Sequence, residues 1–105
     1  MLKLKAVITN KMNKIGKIGR ANQKARAIIA QMCEEMGLDS CEVGLSGCMG
    51  TFGVAPAHKR KRVFYNGDVE LLSDYRQWIC MCIHCHNLTE VDRELNEEIF
   101  NKLRP

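Results

Sequence analysis

Between Arg20 and Met36, apolar residues recur at intervals of three and four: Ala25, Ile28, Ile29, Met32 and Met36. That period predicts one helix with a single buried stripe, and Gly37 supplies a stop. Residues 1–19 mix Lys, Asn and Gly with scattered Leu, Ile and Met. They read as an irregular basic arm with a short strand over Leu4–Ile8. Residues 38–57 are rich in turn formers and lead into a short extended segment ending near His58. Asn66-Gly67 predicts a hairpin or turn, and Leu71-Leu72 a short helical turn. Trp78-Ile79-Cys80-Met81 predicts a buried strand. Leu88, Val91, Leu95, Ile99 and Leu103 then repeat at helical spacing, which predicts a helix over about 85–103. The pattern is α+β, divided into a basic arm plus helix over 1–37 and a small domain over 38–105.

Composition narrows this picture. In 105 residues there are six aromatic side chains (one Trp, two Tyr, three Phe) but six cysteines. A chain this short buries little surface and benefits from a cross-link or metal. No apolar run reaches the roughly 18 residues of a membrane helix, and the N-terminal apolar stretch breaks at Thr9-Asn10-Lys11, too short for a secretory core. The expected compartment is therefore reducing and cytoplasmic, with no membrane. Cysteines there serve as metal ligands or catalytic groups more often than as disulfides.

Charge is uneven. The net value of +4 combines eight Lys or Arg and no acid within residues 1–33 with a remainder of net −4. A second basic block, Lys59-Arg60-Lys61-Arg62, lies inside that acidic remainder. Basic runs suit phosphate backbones, because each neutralised phosphate releases counterions. They also serve simply as solvated surface.

The chemistry concentrates in Cys82-Ile83-His84-Cys85-His86. A C-x-x-C turn lets two thiolates converge on one ion, and four thiolates close a structural zinc site. Cys41 and Cys48 supply the second pair, separated by a glycine-containing loop that can fold back. Cys80 is an alternative to Cys82, since residues two apart on a strand face the same way. Cys33 falls in the helical stripe and reads as core. His86 and Glu90 stand four apart on one helix, a spacing at which a His and a carboxylate can share a divalent cation. His58 immediately precedes the basic block.

The order Cys41…Cys48, Pro56-Ala57-His58 with its basic run, then Cys82-Ile83-His84-Cys85-His86 followed by Glu90, resembles the HNH endonuclease family over about residues 39–105. Small stand-alone members of phage and prophage type are the most similar. The resemblance implies a zinc-stabilised ββα-metal domain of treble-clef type that hydrolyses DNA phosphodiester bonds. It implies His58 as the general base, and His86 and Glu90 as holders of a catalytic Mg2+, Mn2+, Ni2+ or Zn2+. It further implies a DNA path along Lys59, Arg60, Lys61 and Arg62, and a larger phage packaging or recombination complex in a bacterial host cell as the setting. Two positions depart from the pattern. Ala57 stands where many members carry an acid or His, and the middle Asn has only Asp74, Arg76, Gln77 or the more distant Asn66 as counterparts. A non-catalytic zinc-containing DNA-binding module, and an adaptor using the acidic helix face over 90–98, are the competing expectations.

Overall fold

The computed structural model describes the backbone from Leu2 to Pro105 and the side chains from Gly16 onward. Helix α1 spans Leu2–Met36. The short strand expected over Leu4–Ile8 is therefore absent, and those residues belong to the helix rather than to an irregular arm. Leu4, Lys5 and Ala6 are good helix formers, and no Gly or Pro interrupts the sequence before Gly16, so the helix runs on through the β-branched Val7 and Ile8. The helix stops where expected. Gly37 takes a φ of 69°, Leu38 N–H donates to the Cys33 carbonyl at 2.8 Å and Gly37 N–H to that of Glu34 at 3.3 Å. This pair of bonds satisfies carbonyls that would otherwise be orphaned. The buried stripe is rotated from the expected one. Ala21, Ala25 and Ile29 are buried while Ile28 and Met36 are exposed, because the four-residue row extends back to Ala21.

A loop over 38–54 leads to β1 (Ala55–His58), then come α2 (Arg62–Tyr65), α3 (Val69–Ser73), a 3-10 turn (Tyr75–Gln77), β2 (Trp78–Met81), α4 (Ile83–Val91) and α5 (Arg93–Leu103). Asn66 and Gly67 both adopt positive φ, and they turn the chain between α2 and α3 rather than forming a hairpin. The two strands pair antiparallel, with Ala57 opposite Ile79 and His58 opposite Trp78. Because side chains alternate across a strand, this hairpin has two distinct faces. Ala57, Ile79 and Met81 pack with Cys82, Cys85, Ile99 and Phe100. Trp78 and Cys80 face Ile29 of α1. A smaller cluster of Ala21, Ala25, Tyr65 and Leu72 fastens α1 to the strand-to-strand connection. No described helix is long and apolar enough to cross a membrane.

The C-terminal helix differs from the expected single element. It begins earlier, at Ile83, and divides at Asp92 (φ −121°, ψ 97°). Asp92 is a strong helix N-cap, and its side chain accepts a hydrogen bond from Leu95 N–H at 3.1 Å. The apolar spacing continues across the break and so conceals it.

A buried ion pair closes the fold. The Arg104 guanidinium donates to both carboxylate oxygens of Glu42 at 2.9 Å and lies 3.8 Å from the Tyr75 ring centre. Glu42 in turn accepts from Cys80 N–H at 2.7 Å. The pair ties the C-terminus to both the cysteine loop and β2.

Candidate functional site

The sulfurs of Cys41, Cys48, Cys82 and Cys85 lie within 4.8 Å of one another, and among the described residues they are the only group of three or more metal-ligating side chains so gathered. Cys48 and Cys82 sulfurs are 3.9 Å apart. Four thiolates at a Zn–S distance of about 2.3 Å span tetrahedral edges of about 3.8 Å, so the cluster can hold a structural metal such as zinc.

Local structure explains the convergence. Cys82 is the N-cap of α4, and its sulfur accepts from Cys85 N–H and from Met49 N–H, each at 3.4 Å. Cys48 sulfur accepts from Gly50 N–H at 3.4 Å. Such donors stabilise thiolate charge and orient the ligands. Burial pushes the Cys82 thiol up, but the Cys85 and Met49 amides, helped by the Cys85 and Cys41 thiols, outweigh it and bring it down to about 6. Burial and the neighbouring thiols push Cys85 up to about 12. A metal ion would deprotonate the set together. Gly47 has φ 85°, and a side chain there would place Cβ 2.6 Å from His84 Nε2. That close approach lets His84 Nε2 bond the Ser46 carbonyl at 2.8 Å, which pins the cysteine loop to α4.

Of the two candidates considered for the third ligand, Cys82 joins the cluster. Cys80 points to the opposite face of the hairpin, with its sulfur 3.4 Å from that of Cys33. Cys33 is half-buried against Trp78 and Cys80, in keeping with its expected place in the core.

One residue beyond Cys85, α4 opens onto a second site. His58 from β1 and His86 and Glu90 from α4 line one cleft of about 90 Å³, with Lys59, Arg60 and Lys61 along one side. His86 Nε2 and Glu90 Oε1 are 3.3 Å apart and both side chains are largely exposed. At that distance the imidazole and the carboxylate contact each other directly. Arg62 lies away from this cleft, in a neighbouring one. Ala57 is buried on the other face of β1, so the strand offers no further ligand at that position.

His58 is held in a defined state. Its Nε2 lies 2.7 Å from the Leu72 carbonyl, an acceptor, so this nitrogen carries the proton and Nδ1 keeps its lone pair. Burial lowers the His58 pKa below 6.5, the Leu72 carbonyl opposes this, and the charges of Arg62 and Arg26 lower it further. The ring is therefore neutral at pH 7. Leu72 thus fixes the imidazole, whereas among the residues weighed for the middle position Asp74 pairs with Arg76 and Gln77 accepts from Tyr65.

Sequence reasoning missed Thr89, Arg93 and Asn96, which complete the wall of the His58 cleft. Thr89 follows His86 at an interval of three on the same helix, so helical periodicity places it on that face. Arg93 and Asn96 could not be found this way, because both lie beyond the break at Asp92; the Asn96 amide donates to the Lys59 carbonyl at 3.2 Å. Compared with protein-family models, curated proteins and solved structures, the chain matches none.

Proposed function

We propose that this chain is a metal-dependent endonuclease of HNH type that hydrolyses DNA phosphodiester bonds. The observation carrying this reading is the convergence of His58, His86 and Glu90 on one cleft beside a basic run. The neighbouring antiparallel hairpin, the helix and the four-cysteine cluster agree with a zinc-stabilised ββα arrangement.

His58 acts through Nδ1, the nitrogen left free by the bond to Leu72. As a neutral imidazole it accepts the proton of an attacking water, a role for which a pKa somewhat below neutrality is suited. His86 and Glu90 would hold a divalent cation, which when bound would supply charge stabilisation at the scissile phosphate and the leaving oxygen. Lys59, Arg60, Lys61 and Arg93 attract and orient the phosphate backbone. The cysteine cluster fixes the first turn of α4 and thereby the direction of His86.

One observation favours a second reading, a non-catalytic zinc-containing DNA-binding module: His86 and Glu90 stand as a two-ligand set, with Ala57 turned into the core. Plasmid nicking by zinc-loaded protein with added magnesium, manganese or nickel decides between them. Nicking is expected, and His58→Ala should reduce it by about 10²–10⁴-fold while zinc content stays at one per chain. Salt-sensitive DNA binding without nicking under any of these metals would leave the second reading instead.

A further inference from the structure

His58 also borders a second, smaller cleft of about 50 Å³ on its other side, formed by Asn22 and Arg26 of α1 with Arg62 and Leu72. Arg26 and Arg62 come from elements far apart in sequence, and both are exposed. Neither forms an ion pair among the described residues. Both act electrostatically on the same histidine. Two guanidinium groups lining one cleft with no carboxylate among its residues make that cleft electropositive, which favours an anion there. Guanidinium forks match phosphate oxygens in two-point hydrogen bonds, and the Asn22 amide adds a neutral donor. The cleft lies next to the site described above and shares His58 with it, so one strand can engage both.

Resting on the nucleic-acid reading above, we infer that Asn22, Arg26 and Arg62 form a phosphate clamp through which α1 grips duplex DNA beside His58. The helix then serves as a second wall of the binding surface as well as a cover for the hairpin. Only one flank of α1 is used. Lys24 lies two residues from Arg26, about 200° around the helix, and points away from the clamp.

The test measures binding apart from cleavage. A fluorescently labelled DNA duplex is titrated with zinc-loaded protein carrying His86→Ala, which keeps the DNA intact, over a series of salt concentrations. Adding Arg26→Gln should reduce the slope of log affinity against log salt by about 0.9, the loss of one phosphate contact. The affinity advantage of the parent over this variant should accordingly shrink about 3.5-fold between 50 and 200 mM salt. Lys24→Gln, equally exposed and equally charge-reducing, should change the slope by much less. Equal slopes for the two variants would overturn the clamp while leaving the endonuclease reading intact. A selective Arg26 effect in a protein whose wild-type form nicks nothing would sustain the clamp and remove the hydrolytic reading. Absence of salt-sensitive binding by the His86→Ala parent would overturn the clamp outright.

Discussion

The cysteine cluster and the histidine cleft are adjacent on α4, yet they are built on opposite principles. In the cluster, Cys82 and Cys85 are fully buried, and backbone amides point at the sulfurs of Cys48 and Cys82. In the cleft, His86 and Glu90 keep much of their side chains open to solvent while contacting each other, and His58 is oriented by the Leu72 carbonyl. A structural metal site is closed by protein ligands, whereas a catalytic site keeps positions open for water and substrate. The same nine-residue helix supplies both because the face carrying Cys85 and Thr89 is buried, while the neighbouring face, four residues apart at His86 and Glu90, opens onto the cleft.

Three measurements press on that contrast, beginning with the largest effect. Stripping the metal with a chelator should abolish cooperative thermal unfolding of the region that carries the cluster, since structural zinc contributes about 10–16 kcal/mol apparent to small domains. Adding zinc back should restore the transition. A chelated protein that melts unchanged would mean that packing alone holds the cysteine loop.

Next, Arg104→Met removes a buried cation and leaves the Glu42 carboxylate unpaired. Breaking such a pair costs about 3–5 kcal/mol, to be read from denaturant midpoints. Arg104→Met combined with Glu42→Gln should recover part of that loss. No recovery would show that Arg104 acts through its packing on Tyr75 and Trp78.

The smallest effect concerns pH. Because burial and nearby arginines lower the His58 pKa, its neutral form prevails at pH 7 and is lost on acidification. Nicking should therefore fall on acidification, with an inflection under 6.5. The sign for stability is the same. The unfolded state binds the proton more readily, so any contribution from neutral His58 is present above about 6.5 and disappears as pH falls through the folded value. Zinc content measured at each pH separates this titration from metal loss. An inflection above 6.5 would contradict a buried, arginine-flanked imidazole.

Much of the metal chemistry was legible in the sequence because it is carried by residue type and short spacing. Cys82 and Cys85 form a turn by themselves, and Cys82 parts from Cys80 because the strand ends at Met81 and Cys82 caps α4 instead of continuing the alternation. The cleft was only partly legible. His86 and Glu90 share a helix, so four-residue spacing sufficed. The positioning of His58 by the Leu72 carbonyl could not be read, since backbone acceptors carry no sequence signature. The junction of Arg26 with Arg62 depends on how α1 packs, which periodicity leaves open to rotation. Glu42 and Arg104 were invisible for a related reason: two charged residues 62 positions apart give no local sign of burial together.

The division at Asp92 has a geometric consequence. A straight helix is convex on every side and cannot enclose anything alone. By capping a new helix at that point, Asp92 converts one rod into two panels that meet at an angle. His86, Thr89 and Glu90 stand on the first panel, and Arg93 and Asn96 on the second. The concavity beside His58 is thus walled on one side by two helices joined at Asp92, and on the other by the end of β1 and the basic run.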